Sequence, residues 1–317
     1  MTIQLKGIRK QYDNKVVLDD ITLNLTQKFT TILGESGCGK TTLLKIVSGL
    51  VQPDVGEILF DQKRIFSKEE KINVRPNQRD LAMVFQDFAL WPHMTVFDNV
   101  AYSLSGSKSD KEQQVMTALR MVNLEDFAKR KPNELSGGQQ QRVSLARALA
   151  PKPKVILFDE ALSALDAVLR EKMQTDIVQL INQTDSQAIF VTHDQNEAMS
   201  MSDEIIVMEK GKVSQIGTPK QIYEAPANHY VAHFIGKTNH FEADVVIRPE
   251  SIQVAPTAKT TLQRTVRVVR SQFTGQHYIV QGVVGEFIWL FYSEKPYFTD
   301  DLCEVYFEEQ HLIKIGG

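Results

Sequence analysis

The sequence predicts an α/β fold with a parallel sheet, followed by a small β-barrel domain. Two observations lead to this prediction. Short apolar runs alternate with helix-period stretches over residues 1–235, which is typical of strands joined by helical crossovers. Near residue 236 the helix-period patterns end, and residues 240–317 contain 11 of the 26 aromatic residues, in short runs separated by Gly, Pro and Thr.

Each element follows from its local pattern. Apolar or alternating runs predict strands at residues 3–8, 16–18, 21–25 and 29–33, and further strands and turns over 56–86. Periodic apolar residues predict a helix ending near Ser48 and a helical insert over about 87–150. The first domain then alternates strands with helices, the strands at 155–158, 188–191 and 204–208 and the helices at 165–182 and 197–201.

Composition excludes several classes of protein. The charged fraction is 24% and the net charge −3, which gives no reason to expect a nucleic-acid partner. Apolar runs fall short of the roughly 18 residues of a membrane-spanning helix, and the N-terminal segment lacks the apolar core of a secretory signal. Cys38 and Cys303 make no disulfide framework and favour a reducing compartment. We therefore expect neither an integral membrane protein nor a small secreted scaffold nor a disordered chain.

A glycine-rich turn between a strand and a helix predicts a phosphate-binding loop. The pattern G-x-x-x-x-G-K-[ST] needs this context, because glycines let backbone N–H groups converge on phosphate oxygens at a helix N-terminus. The lysine would meet the β- and γ-phosphates and the threonine would hold Mg²⁺. A chance glycine-rich turn is the alternative, and the flanking strand and helix disfavour it. The nucleotide-binding residues are Gly34, Glu35, Ser36, Gly37, Cys38, Gly39, Lys40, Thr41 and Thr42.

Two further segments carry chemistry. Asp159 and Glu160 end a buried strand, where open α/β sheets bind ligands, so Asp159 is expected to hold Mg²⁺ and Glu160 to polarise the attacking water. An apolar run that ends in an acid is common, and only its pairing with the phosphate loop makes this assignment specific. A second anion site precedes another helix, at Ser136, Gly137, Gly138 and Gln139. One bound nucleotide needs only one phosphate-binding loop. We therefore expect the second anion site to bind the nucleotide held by another copy of the chain.

These segments occur in an order that resembles the ATP-binding cassette (ABC) ATPases. Residues 135–139 are similar to that family's signature, Gln86 to its Q-loop glutamine, Asp166 to its D-loop aspartate and His193 to its switch histidine. The resemblance covers residues 1–235 and implies a P-loop NTPase cassette with a helical subdomain. It also implies an ATPase, with ATP and Mg²⁺ as cofactors.

The resemblance further implies a role for each residue. Two copies would sandwich two ATP molecules head to tail, with Ser136 and Gly138 of one copy facing the γ-phosphate bound by the other. Glu160 would be the general base, His193 would hold the water in line, and Asp166 would couple the two sites. Tyr12 would stack on adenine. Lys40 and Gln86 complete the expected catalytic set, and the expected metal ligands are Thr41, Gln86 and Asp159.

The apolar segment 89–97 lies where a surface loop is expected. It is either a small satellite core or a groove for a helix of a membrane partner, and the resemblance favours the groove. About residues 87–104 would then contact a separate permease at the cytoplasmic face of the membrane, with an extracytoplasmic solute-binding protein acting indirectly.

Residues 236–317 resemble the oligonucleotide-binding-like (TOBE) accessory domain of bacterial importers, although its acidic balance argues against nucleic acid. Trp91 and the short tail favour ferric iron or another inorganic ion as the solute. The alternatives are a polyamine, phosphonate or sugar importer or, less favoured, a non-transport ABC ATPase.

Overall fold

The computed structural model describes residues 1–316, which form two compact units, residues 1–219 and residues 220–316. The predicted α/β arrangement followed by a small β domain is confirmed. The two units meet after Pro219, and the division into an ATPase domain over 1–235 and an accessory domain over 236–317 stays a prediction. Among the described residues, no helix is both long and apolar enough to span a bilayer.

Unit 1 contains two sheets and the helices that cover them. Its strands are β1 (Ile3–Tyr12), β2 (Lys15–Leu25), β3 (Phe29–Gly34), β4 (Val55–Phe60), β5 (Lys63–Ser67), β6 (Ile72–Asn73), β7 (Leu81–Val84), β8 (Val155–Asp159), β9 (Gln187–Thr192), β10 (Glu204–Glu209) and β11 (Lys212–Gly217). Its helices are α1 (Lys40–Ser48), α2 (Val96–Ala101), α3 (Lys108–Met121), α4 (Gly137–Leu149), α5 (Ala167–Asn182) and α6 (Gln195–Met201), and α7 (Pro219–Glu224) begins at its end.

The central sheet has the strand order β11-β10-β3-β9-β8-β7, and all neighbouring pairs from β10 to β7 are parallel. Every residue of β3, β8 and β9 is buried, because apolar groups cover both faces of a parallel sheet. This arrangement explains why those strands appear in the sequence as continuous apolar runs rather than alternating ones.

The second sheet, β2-β1-β4-β5-β6, is antiparallel. The two predicted strands at 16–18 and 21–25 are one strand, β2, so that prediction was wrong. The polar break between them is a β-bulge, where the register of β1 and β2 shifts and Asp20 adopts a φ of 55°. A bulge lets a strand continue through residues that cannot alternate.

The predicted helical insert consists of α2, α3 and α4 around one apolar cluster that includes Val100, Leu119 and Val143. Each of these helices begins with a capping box, in which a Ser or Thr hydroxyl accepts the N3 backbone N–H and the N3 side chain accepts the N-cap N–H. The cap pairs are Thr95 with Asp98, Ser107 with Asp110 and Ser136 with Gln139.

Unit 2 is built from strands and one further helix. They are α8 (His229–Phe234), β12 (Asn239–Glu242), β13 (Val245–Ile247), β14 (Leu262–Phe273), β15 (Tyr278–Val284), β16 (Phe287–Ser293), β17 (Leu302–Phe307) and β18 (Leu312–Lys314). The hydrogen-bonded orders are β12-β13-β18 and β16-β15-β14-β17. Buried Trp289, Phe291 and Phe307 lie in one core. The Asn239 amide links the sheets by donating to the Leu290 carbonyl at 2.7 Å and accepting from the Leu290 N–H at 2.6 Å.

Arg248 explains why the segment after Pro219 belongs to unit 2. Its guanidinium is buried and donates to the carbonyls of Ala232 and Tyr223, both at 3.0 Å, and of Lys237 at 3.2 Å. It also lies over the Tyr223 ring, 4.1 Å from the centroid. One planar cation thus satisfies carbonyls from α7, α8 and the following loop.

Arg248→Ala is expected to destabilise unit 2 by about 2–4 kcal/mol, because three carbonyls lose a charged donor. Urea unfolding followed by Trp289 fluorescence in a Trp91→Phe background measures this effect, since the chain has 2 tryptophans. The exposed Arg270→Ala is the control and should leave the midpoint unchanged. Equal midpoints for both variants would contradict the role given to Arg248.

Candidate active site

The residues predicted to bind and hydrolyse the nucleotide lie at the carboxyl ends of four neighbouring strands of the central sheet. In the order β3-β9-β8-β7, their carboxyl ends lead into Gly34, His193, Asp159 with Glu160, and Gln86. Parallel strands present their carboxyl ends on the same side, which is where α/β sheets bind ligands. The sequence reasoning identified these residues separately, and the strand order places them side by side.

The loop between β3 and α1 wraps around the Lys40 ammonium. Lys40 is 3% exposed, and its Nζ donates to the carbonyls of Gly34 and Glu35, both at 2.8 Å. Gly39 has a φ of 109°, and a Cβ there would lie 2.7 Å from the Val17 carbonyl oxygen. Because Gly39 has no side chain to cap α1, the N–H groups of its first turn stay available to an anion.

Thr41 and Asp159 form a cluster of hard oxygen atoms. The Thr41 hydroxyl donates to Asp159 Oδ1 at 2.8 Å. Burial raises the pKa of Asp159, and the hydrogen bond from Thr41 only partly offsets this effect. A divalent cation would favour the carboxylate form, so this donor set fits Mg²⁺. The third expected ligand, Gln86, is exposed two residues beyond β7.

Glu160 and His193 face each other, with His193 Nδ1 3.4 Å from Glu160 Oε2. The Glu160 backbone has a φ of 46°, which is unusual for a residue with a side chain. Its N–H donates to the Val191 carbonyl at 3.1 Å, and its carbonyl accepts from the Ser163 N–H at 3.1 Å and hydroxyl at 2.8 Å. These bonds hold the carboxylate at the end of β8 although the backbone is strained.

Behind His193 lies a polar network that sequence reasoning missed. The Thr192 hydroxyl donates to Glu197 Oε2 at 2.5 Å and accepts the Asp194 N–H at 2.9 Å. Arg170 approaches Asp194 at 3.6 Å and Glu197 at 3.9 Å. A sequence pattern could have predicted this network, because Asp194 is an N-cap residue before α6 and Glu197 follows it by three residues, as at a helix start. The network fixes the backbone on both sides of His193.

The structure places three other predicted sites at the end of β1, before α5 and at the start of α4. Tyr12 ends β1 with its side chain 46% exposed, and Lys10 Nζ lies 5.0 Å from its ring centroid. Asp166 is exposed and caps α5, accepting the Leu169 N–H at 3.0 Å. Within the described residues, no hydrogen bond or ion pair joins Ser136–Gln139 to the phosphate loop; Ser136 and Gln139 instead cap α4.

Gly138 lies close to α5, since a Cβ added at this position would approach the Leu169 side chain to 2.8 Å. A larger residue here would therefore require the Leu169 side chain to move. Gly137 has no such neighbour and stays exposed. The two glycines of the predicted second anion site thus have different reasons to be small.

The segment after Gln86 is a rigid loop. Phe88 and Ala89 both have a positive φ, and Arg147 donates to their carbonyls at 2.8 and 2.5 Å. Buried Asn99 exchanges hydrogen bonds with the Trp91 backbone, accepting at 2.9 Å and donating at 3.1 Å. The Trp91 ring packs on Tyr102 with centroids 4.3 Å apart, and Tyr102 is 64% exposed. The predicted apolar segment is partly core, because Val96 is buried in the cluster of the helical insert and Leu90 and Phe97 pack against that cluster. Trp91 is half-buried beside exposed Tyr102, and the groove for a partner helix stays a prediction.

Comparison with known proteins agrees with this geometry. A family profile described as "ABC transporter" matches residues 18–163. The chain is similar to the spermidine/putrescine import ATP-binding protein PotA of Photobacterium profundum, with 51% identity over 247 residues that cover 77% of this chain and 65% of that protein. The protein of the same name from Haemophilus influenzae is 49% identical over 250 residues, covering 78% and 66%. The chain thus spans just under two thirds of the length of these curated relatives.

A solved structure is similar as well. The dimeric structure of MJ0796, described as a bacterial ABC transporter cassette, matches with a TM-score of 0.59 and 34% sequence identity. The match covers 68% of this chain and 98% of that chain. The similarity therefore extends over that entire cassette.

Glu197→Gln tests the buried network through its pH dependence. Burial raises the pKa of Glu197 above its ordinary 4.5, so the folded state disfavours the carboxylate. The cost of burying a charged carboxylate destabilises the folded state. This cost is absent below the ordinary pKa and develops as pH rises through the raised pKa of the folded state, whereas the uncharged glutamine does not incur it. The free energy of unfolding from urea titrations should rise in the variant relative to the wild type as pH increases above the ordinary pKa of the glutamate, by about 1 kcal/mol or less. A difference independent of pH, or one equal to that of exposed Glu171→Gln, would contradict the assignment.

Proposed function

The chain belongs to the ABC transporter family, and on that premise we propose that it is the ATP-hydrolysing subunit of a polyamine importer. The observation that carries the ATPase assignment is the convergence of Lys40, Thr41–Asp159 and Glu160–His193 at one sheet edge. These groups match the three needs of phosphoryl transfer, namely charge neutralisation, a metal site and a positioned water.

Each of these site residues has a separate role in ATP hydrolysis. Lys40 exchanges its two loop carbonyls for β- and γ-phosphate oxygens, so the cradle is preorganised before nucleotide arrives. Thr41, Asp159 and Gln86 would hold Mg²⁺, which when bound neutralises phosphate charge. Glu160 accepts a proton from the attacking water as general base. His193 is 55% exposed in its side chain and orients the water and the γ-phosphate from the opposite side.

A second copy of the chain would complete the site. Ser136–Gln139 forms no hydrogen bond or ion pair with the phosphate loop in the described part of the chain, yet it places a serine and a helix N-terminus at the surface. A head-to-tail dimer would bring this segment onto the γ-phosphate bound by the partner copy. The dimeric form of the similar cassette supports this arrangement. Exposed Asp166 would then couple the two sites.

The solute is inferred from the names of relatives. Relatives with about 50% identity are described as spermidine/putrescine importers, which supports the polyamine alternative over ferric iron. The ferric-iron preference depended on Trp91 and on tail length. Trp91 has a structural explanation, because its backbone bonds Asn99 and its ring packs on Tyr102 and lies 5.1 Å below the Arg147 guanidinium. Those contacts carry no information about the solute.

The permease would dock on residues 87–104, where Trp91 and Tyr102 form an aromatic surface on a loop held by Asn99 and Arg147. The loop begins beside Gln86, so phosphate occupancy and permease contact share one rigid connection. The subunit would work at the cytoplasmic face of the membrane. An extracytoplasmic solute-binding protein would deliver the polyamine to the permease.

Glu160→Gln is expected to lower ATP hydrolysis by at least ~100-fold while retaining ATP binding, because only the general base is lost. The ATP-bound form should therefore accumulate as a dimer, measured by size-exclusion chromatography with light scattering in Mg-ATP. Glu171→Gln, an exposed glutamate on α5, is the matched control and should hydrolyse normally. A Glu160→Gln variant that stays monomeric at saturating Mg-ATP would exclude the shared site.

Deleting the gene for this chain should abolish uptake of labelled spermidine and putrescine, since the permease would lose its ATPase, while ferric-iron uptake continues. Complementation with the wild type should restore transport, and Lys40→Ala should not, because the cradle loses its cation. Exposed Lys63→Ala should restore it fully. Loss of ferric uptake with retained spermidine uptake would overturn the polyamine assignment but not the ATPase assignment.

A further inference from the structure

Three imidazoles cluster in unit 2, at positions that neither the family resemblance nor the proposed function uses. His229 and His233 are four residues apart on α8, so they share one helix face, and His240 comes from β12. One ring nitrogen from each lies within 4.8 Å of the other two. The sequence pattern H-x₃-H-x₆-H did not reveal this cluster, because its third member reaches the others only through the turn between α8 and β12.

The rings approach one another closely. The centroids of His233 and His240 are 4.8 Å apart, and those of His229 and His240 are 6.0 Å apart. Polar groups surround the cluster, as is typical of metal-binding histidines. The Thr238 hydroxyl lies 2.7 Å from His233 Nδ1, which leaves Nε2 free, and Asp244 Oδ1 lies 3.3 Å from His229 Nε2.

The backbone that carries the rings is held independently of them. The His240 carbonyl accepts the Trp289 Nε1–H at 2.7 Å, and its ring stacks on Phe287. Asn228 caps α8 by accepting the Val231 N–H at 2.9 Å. Preorganised ligands lose little entropy when they bind an ion.

The electrostatics at His233 favour a neutral imidazole. Partial burial, with the neighbouring His240 and His229 next in importance, lowers the pKa of His233. The neutral ring is the form that binds metals. His233 is also exposed, so an ion can enter from solvent.

We propose that His229, His233 and His240 bind one divalent first-row transition ion of the zinc class. Imidazole nitrogens suit such ions, and three of them leave a fourth tetrahedral position for water or the Asp244 carboxylate. Zinc–nitrogen bonds of about 2.0–2.1 Å require nitrogens about 3.4 Å apart, which small side-chain rotations achieve from the present spacing. The proposal does not depend on the ATPase or polyamine assignments, because all of its residues belong to unit 2.

The test uses the untagged full chain, stripped with EDTA and free of nucleotide. Titration with Zn²⁺ against a chromophoric chelator should give one bound equivalent. Titration with Co²⁺ should give the visible absorption of a tetrahedral site. Each of His229→Ala, His233→Ala and His240→Ala should weaken Zn²⁺ binding at least ~10-fold, and the triple variant should abolish it.

Two controls separate this site from other zinc binding. His277→Ala removes an imidazole of unit 2 whose ring packs edge-on to Tyr292, 4.5 Å between centroids, and should bind normally. Asp159→Asn removes a carboxylate of unit 1 and should also leave the high-affinity equivalent intact. If an alanine variant unfolds, His233→Gln tests the same ligand with a smaller loss of packing.

Hydrogen exchange gives a second measurement. Zn²⁺ should slow exchange over residues 229–242 in the wild type, because the ion links α8 to β12, and should have no such effect in the triple variant. The proposal is overturned if the wild type binds no stoichiometric Zn²⁺, if the triple variant binds as tightly, or if only Asp159→Asn loses binding. In those cases the imidazoles form an aromatic stack alone.

Discussion

The parallel pairing of β3, β9 and β8 brings the loop before Lys40, the two carboxylates Asp159 and Glu160, and His193 to one edge of the central sheet. The register places Thr192 beside Leu33 and Val191 beside Asp159, so the phosphate loop, the switch histidine and the two carboxylates leave the sheet at one edge. All three strands are buried, and their backbone hydrogen bonds cannot be exchanged for water. A slip of one residue would turn each side chain to the opposite face, so the core that fills both faces also protects the geometry of the site.

Hydrogen bonds from neighbouring residues stabilise the strained backbone of Glu160 and the buried ionisable side chains at this edge. Glu160 holds a positive φ that costs about 1–3 kcal/mol, and three hydrogen bonds to Val191 and Ser163 maintain it. Lys40 and Asp159 are both buried ionisable groups whose present partners are loop carbonyls and a hydroxyl. A nucleotide phosphate and a divalent cation would supply opposite charges to Lys40 and Asp159 respectively. The Thr192–Glu197–Arg170 network keeps His193 in place while its ring stays exposed.

Single polar side chains bind irregular backbone in both units, as Arg147 and Asn99 do in unit 1, and in unit 2 one of them also links the two sheets. Arg248 satisfies three carbonyls from irregular segments, and the Asn239 amide joins the edges of two short sheets. Small β domains have few ladder bonds to spare, so such side chains replace them. The same compactness brings α8 against β12 and gathers three histidines. The fold of this unit thus depends on a few named polar side chains as well as on its apolar core.

The sequence by itself determined the α/β class and the β-rich tail, because these depend on local periodicity. It also predicted the residues of the phosphate loop and the acidic strand from short-range spacing, and those of the signature from the family resemblance. It did not predict β2 as one strand through a bulge, the unit boundary at Pro219, the Thr192–Glu197 network or the histidine cluster. Each of these depends on contacts between residues brought together by neighbouring strands or by a turn. The periodicity of the sequence indicates on which face of a helix or strand a side chain lies. Only the tertiary packing determines which other residue that side chain contacts.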